Sequence, residues 1–373
     1  MKINKKLAFL FTVFLGLNIT ACSQQAVQTP IVQNSFQNSS KNVLIVDDIY
    51  RVHAFKENLA VVAINNKWGF IDKTGKLVIP AKYEAAFDFS DNLARVEFNN
   101  KWGFINKKGD WVIPAKYDSA HEFHEDLAVA EINKKYGFIN KKGEWIIPAQ
   151  YSFAHDFSDG LAHVGNGADA YYIDKKGKTI ISESLLKFMV NSKFSEGLAA
   201  TCVGSPDIYI SKKPCKYGYI NKKGKLVIPA KYDFAYDFHE NLALVRINNK
   251  HGFINKKGEL VIPAKYDKAH SFEDGLALVQ FDNKWGFINK KGEWIIPARY
   301  NSAGTFSDDL ATVEINGKLG SINKSGKLVV PAQFNKESGF AFSNGLARTK
   351  LNDKQGAFVN KAGETVFILE TRR

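Results

Sequence analysis

LAVVAINNKWGFIDKTGKLVIPAKY, residues 59–83, holds three short apolar runs divided by polar pairs. The spacing within each run is that of strands, because alternate residues share a face. Asn65-Asn66 supplies the left-handed backbone of a tight hairpin. Lys73-Thr74-Gly75 reads as a type I turn closed by a left-handed glycine. Pro80 ends the third run, since it removes a ladder donor. Within the second strand Trp68 and Phe70 share one face, Gly69 and Ile71 the other.

The same pattern returns along the chain. The glycine after Trp68 has counterparts at Gly103 and Gly137, a step of 34 residues each time. The next position holds Tyr171, and Gly218, Gly252, Gly286 and Gly320 resume the step after a longer interval; Gly356 follows in an irregular last copy. Phe-x-x-x-Leu-Ala begins at Phe55, Phe89, Phe123, Phe157, Phe194, Phe238, Phe272, Phe306 and Phe342. Ile/Val-Pro-Ala starts at 79, 113, 147, 228, 262, 296 and 330. About nine tandem units of three short strands follow, joined by Ala-x-x-Phe connectors. Comparison of copies separates structural from replaceable positions. The Leu-Ala pair never varies, whereas the Trp68 position is taken by Tyr136, Ala170, Tyr217, His251, Leu319 and Gln355 in other copies. Bond-making chemistry does not tolerate such variety, so the tryptophan reads as a packing face. SESLLKFMV (182–190) is the one helix candidate and falls in the irregular fourth copy.

KWGFIN, NKKGK, IPAKY and FSDNLA resemble the WG-repeat (KWG-repeat) family of bacterial proteins over about residues 42–370. The departures are the fourth copy, with Ala170-Tyr171 and no proline, and the ninth copy. The resemblance implies an all-β tandem-repeat protein used mainly for interaction. A unit of 34 residues is short for a propeller blade of about 40–45 residues. Third-strand-like segments stand at both ends, NVLIVDD (42–48) and GETVFIL (363–369). These features favour an open, curved, solenoid-like array with a capping strand; a closed propeller-like ring is the alternative.

The first 41 residues differ in kind. Lys2, Lys5 and Lys6 precede the apolar stretch 7–17, which is too short for a transmembrane helix. Ile19-Thr20-Ala21-Cys22 resembles a bacterial lipobox, which implies cleavage after a signal peptide 1–21 and acylation of Cys22. Residues 22–41 read as a disordered tether and 42–373 as the repeat domain, with an insertion around 182–216. The chain is thus expected to be exported and lipid-anchored in a bacterial cell envelope. Ser23 is compatible with outer-membrane sorting.

Composition adds candidate surfaces. The formal charge is +13, which becomes +10 once Lys2, Lys5 and Lys6 are removed. Lys107-Lys108, Lys141-Lys142, Lys175-Lys176, Lys222-Lys223, Lys256-Lys257 and Lys290-Lys291 occupy equivalent turns, a possible track for an anionic glycan or other envelope polyanion. An acidic set including Glu57, Asp91, Asp126, Asp159, Glu196 and Glu240 recurs beside Leu-Ala and offsets it. Solvated lysines that keep strand edges soluble are the plainer reading. Cys202 and Cys215 flank the insertion at positions that face each other on a hairpin, so export implies a disulfide. Trp111, Trp145 and Trp294 share a position with Leu77, Leu226 and Leu260, which indicates packing more than glycan stacking. His121, His155 and His270 share theirs with Phe87 and Tyr236, a ring-stacking position rather than a zinc site. No nucleophile elbow, zinc-protease, P-loop or dinucleotide motif occurs. The expectation is a protein-interaction scaffold without catalysis, cofactor or nucleic-acid partner, its oligomeric state left open.

Overall fold

The computed structural model describes residues 42–167, 169–182, 193–203, 215–336 and 339–371. These residues form a closed nine-bladed β-propeller, not the open array that the strand-like ends suggested. The helix candidate and most of the insertion lie outside the described residues, as do Cys22 and the whole of 1–41.

Each blade is a small antiparallel sheet. Blade two runs Ala85–Ala86, Ala94–Phe98, Lys101–Ile105 and Trp111–Tyr117 from one edge to the other. The Ala-x-x-Phe segment read as a connector is therefore a short fourth strand. It pairs Ala86 with Val96, so its amides join the ladder of the Leu-Ala strand. Blade four keeps this plan with a shortened last strand, Thr179–Ile181. Blade five has three strands among the described residues.

The paired asparagines adopt positive φ, 54° and 58° at Asn65 and Asn66, as a type I′ hairpin requires. The glycine of the Trp-Gly pair has a different cause. A Cβ on Gly103 would stand 2.6 Å from the Ile113 carbonyl oxygen and the Ala115 nitrogen. The ladder slips between Trp102 and Phe104, and the Ile-Pro-Ala backbone of the outer strand crosses directly over the glycine. In blade four the outer strand ends at Ile181, and Tyr171 is accommodated.

Both faces of every sheet are buried, which explains why the Leu-Ala strand is apolar at four successive positions. One face of a blade packs on the next: Val61, Phe70, Ile79 and Tyr83 of blade one meet Phe89, Val96 and Ile105 of blade two. Nine such cores exist among the described residues, one for each neighbouring pair. An open row of nine sheets would have eight. The ninth joins blade nine to blade one, through Leu346, Phe358 and Phe367 against Val52, Phe55 and Ile71.

Closure uses both terminal strand-like segments. Val43–Val46 lies parallel to Thr365–Thr371 as a fifth, outermost strand of blade nine, with Val43 opposite Ile368. Ile368 stands where seven of the other eight blades carry proline, blade four having Ser182 there, and its N–H donates to the Asn42 carbonyl at 3.0 Å. Proline lacks that donor, so the outer edges at Pro80, Pro114 and their equivalents cannot accept a strand in this way. Phe55 and Val52 also accept from Ser343 Oγ and Arg348 Nη1 through their carbonyls, at 2.6 and 2.5 Å.

Candidate functional site

The proline strand is the exposed outer edge of a blade; Val78, Val112, Ile146 and Val261 lie open there. The short Ala-x-x-Phe strands are at the other edge, around the axis of the ring. Side chains from successive blades meet at this inner rim. His53 Nδ1 lies 2.9 Å from Asp88, and His121 Nδ1 lies 2.9 Å from Asp156, which also has His124 Nε2 at 3.8 Å.

One position on the blade faces changes from apolar to polar between copies. The position after the invariant Leu-Ala alanine holds Val61, Arg95, Val129, His163, Ala200, Leu244, Leu278, Thr312 and Arg348 in turn. Arg95 stacks over Phe87 at 3.7 Å and donates to the Ala120 carbonyl. Its Nε has no partner among the described residues, and burial lowers its pKa against the pull of Glu122 and Asp156. Arg348 takes the equivalent place at the ring closure, donating to the Ile49 carbonyl at 3.0 Å.

His163 is the third polar residue in this series. A cavity of about 380 Å³ is lined by His155, Asp156, His163, Tyr172, Lys193 and Asp237, with Leu161. His163 stacks on His155, and desolvation followed by the charge of His155 holds its pKa at about 4. Asp237 is raised by burial, with Lys193 and His239 opposing. Tyr172 and Tyr219 replace the phenylalanine of most other copies, and burial raises both phenols. Donors, acceptors and charges of both signs thus face one cavity, an arrangement suited to specific binding. No group of three or more His, Cys, Asp or Glu residues has metal-ligand geometry among the described residues.

The lysine turns are elsewhere. They lie on one flat side of the ring, beside the turns that precede Leu-Ala. The first lysine of each pair is tied to a carboxylate of the preceding blade: Lys107 to Glu57 at 2.9 Å, Lys141 to Asp91 at 3.3 Å, Lys222 to Asp159 at 2.8 Å, Lys256 to Glu196 at 3.0 Å and Lys290 to Glu240 at 2.8 Å. Several of those carboxylates also accept a backbone N–H of the next blade, as Glu240 does from Gly275 at 3.1 Å. These lysines latch neighbouring blades. The second lysines, Lys108, Lys142, Lys223, Lys257 and Lys291, are exposed and make no ion pair among the described residues.

Cys202 and Cys215 are joined by a disulfide at the end of the Leu198–Val203 and Lys216–Asn221 hairpin. Trp111, Trp145 and Trp294 each set an edge against the tyrosine of the preceding blade, Tyr83, Tyr117 and Tyr266. The histidine position is a stacking one: His53 meets Trp68 and His270 meets Trp285, as Phe87 meets Trp102. Sequence reading passed over Arg95, His163, Asp156, Asp237 and Arg348. Arg95, His163 and Arg348 share a position that changes freely beside one that never does, while Asp156 and Asp237 stand just before the recurrent phenylalanine.

A family model described as WG containing repeat matches residues 48–68, 68–102, 102–136, 136–167, 217–250, 252–285, 285–318 and 320–354. The unmatched interval contains the irregular copy and the disulfide. A comparison with curated proteins found no match. Among solved structures, a crystal structure of the eukaryotic initiation factor is similar with a TM-score of 0.55 and 12% identity, covering 84% of this chain and 96% of that one. Citrobacter koseri AztD has a TM-score of 0.37 at 11% identity over 85% of this chain and 96% of its own. BamB from Moraxella catarrhalis has 0.32 at 9% over 87% and 93%. The first likeness concerns the fold alone, and the other two are too distant to bear on the argument.

Proposed function

Because the chain belongs to the family of WG-containing repeat proteins, we propose that it is a lipid-anchored protein of the bacterial envelope whose propeller is a scaffold for binding another protein. It acts by binding and catalyses no reaction. The observation that carries this reading is the division of labour between positions. Repeated residues are spent on the ring: the glycine under the outer strand, the proline at its edge and the lysine–carboxylate latches. Residues that differ between copies, Arg95, His163, Asp156, Lys193 and Asp237 among them, gather at the inner rim. Non-repeating charge on a rigid, repeating frame is the arrangement expected of specific recognition.

A photo-crosslinking residue placed at His53 or Tyr236 in the native host tests this reading. A discrete protein adduct, lost when Asp237→Asn and Arg95→Ala are combined, is the expected result. Adducts no different from those of a probe at Val112 on the outer edge would count against it. Cys22→Ser tests the anchor, and is expected to release the protein from membranes; retention after a carbonate wash contradicts it. The glycan alternative has less support, because half of each lysine pair already serves a carboxylate.

A further inference from the structure

The described chain starts on the same side of the ring as the lysine turns. Thr365–Thr371 follows the turn at 360–364, and Val43–Val46 runs parallel to it, so the start of that first strand also lies toward the turn side. Asn42 fixes the position: its Nδ2 donates to the carbonyl of Thr74, at the tip of the blade-one turn. Residues 23–41 separate it from Cys22. A chain of that length spans no more than about 70 Å fully extended.

Charge on this side is uneven. The first lysines are neutralised by their latches. In blades two, three, six, seven and nine the residue after the turn glycine is acidic, namely Asp110, Glu144, Glu259, Glu293 and Glu364. Several of these acids bond to the turn asparagine, as Glu144 does to Asn140 at 2.8 Å, and offset the nearby second lysine. Blades four and five differ. There the turns read Lys175-Lys176-Gly177-Lys178 and Lys222-Lys223-Gly224-Lys225. Lys176, Lys178, Lys223 and Lys225 are exposed and have no ion pair among the described residues. Two adjacent turns thus present four ammonium groups against one carboxylate, Asp174, whose Oδ1 accepts the backbone N–H groups of Lys176 and Lys178. Beside Asn42 stand Lys73 and Lys76 with one carboxylate, Asp72, which lies near Lys76; Lys73 has no latch because blade nine carries Asn344 where other blades supply a latching acid.

We propose that this turn side is the membrane-facing surface of the ring, docking on anionic phospholipid headgroups through Lys176, Lys178, Lys223 and Lys225. The proposal rests on the lipid-anchor reading. Phosphate charges at the surface attract each such lysine over a distance of about one Debye length. Docking there leaves the opposite side, with the paired-asparagine hairpins, directed away from the membrane and open to a partner.

The test uses the mature chain, residues 22–373, carrying Cys22→Ser, so that neither the apolar stretch 7–17 nor an acyl chain contributes. Its co-sedimentation is measured with vesicles of phosphatidylcholine alone and with phosphatidylglycerol added. Binding is expected only with phosphatidylglycerol, falling at least tenfold when Lys176, Lys178, Lys223 and Lys225 are changed to Glu. Reversing Lys134, Lys135, Lys284 and Lys318, on the opposite side, changes net charge equally and is expected to leave binding within twofold. Equal loss in both variants would show a net-charge effect and overturn the proposal, as would equal binding to both vesicle types. Exposed lysines leave the core untouched, and an unchanged melting temperature confirms that each variant folds. Failure of Cys22→Ser to release the native protein refutes the anchor instead, so the two readings fail by different results.

Discussion

Replacing Ile368 with proline converts the closing edge into the guarded edge found in other blades. Ile368 N–H donates to Asn42 at 3.0 Å, and its loss removes a bond with a net contribution of about 1 kcal/mol. The pyrrolidine ring would also project into the space between two strands that lie about 4.8 Å apart, forcing Val43–Val46 away. Detachment uncovers Val46, which is 0% exposed, at a further cost of about 1.5–3 kcal/mol. The expected total is about 2.5–4 kcal/mol. Urea unfolding reads the stability, and hydrogen exchange of residues 43–46 reads the strand. Stability within 0.5 kcal/mol of the parent, with those amides still protected, would refute the view that proline at this position bars the closing strand.

Gly103→Ala is expected to destabilise by about 1–3 kcal/mol, since its Cβ meets backbone rather than a flexible side chain; an unchanged urea midpoint would remove the explanation for the Trp-Gly pair. Reducing the Cys202–Cys215 disulfide, which spans 13 residues, is expected to lower stability by about 3 kcal/mol in the chain-entropy model, and thiol titration before reduction should find neither cysteine free. His163 has a folded-state pKa of about 4 against an ordinary 6.5, so the unfolded chain binds more protons between those values. Its contribution is fully present above about pH 6.5 and is lost as pH falls toward 4. His163→Val should reduce the stability difference between pH 7 and pH 4.5, and a difference as large as in the parent would contradict the buried neutral imidazole.

Much of the blade was legible because its causes are local. Positive-φ asparagines and the turn glycine act within a few residues of themselves, whereas the proline expected to end the third strand lies inside it, as Pro80 does in Leu77–Tyr83. The Ala-x-x-Phe segment was not legible as a strand. It contributes only two residues, and its pairing is set by the sheet that receives it. The inner-rim site was hidden for a related reason. His53 and Asp88 belong to different copies, as do His121 and Asp156, and neither pair has a local signature. The lysine ladder was conspicuous in the sequence, yet its first members are committed to Glu57, Asp159 and their equivalents across each blade boundary.

Period, strand content, hairpin chemistry and the positions that stay fixed all follow from the order of residues, because burial on both faces of a strand leaves its mark on each copy separately. Closure does not. A blade packs on its neighbours in the same way in a row or in a ring, and the last outer strand differs from most others only by lacking proline, as blade four's also does. What decides the matter is the angle accumulated over nine packed sheets, which brings Val43 beside Ile368 and fills the ninth core with Phe55, Phe358 and Phe367. The same closure gathers the odd residues of separate copies around one axis and sets the start of the described chain on the lysine side.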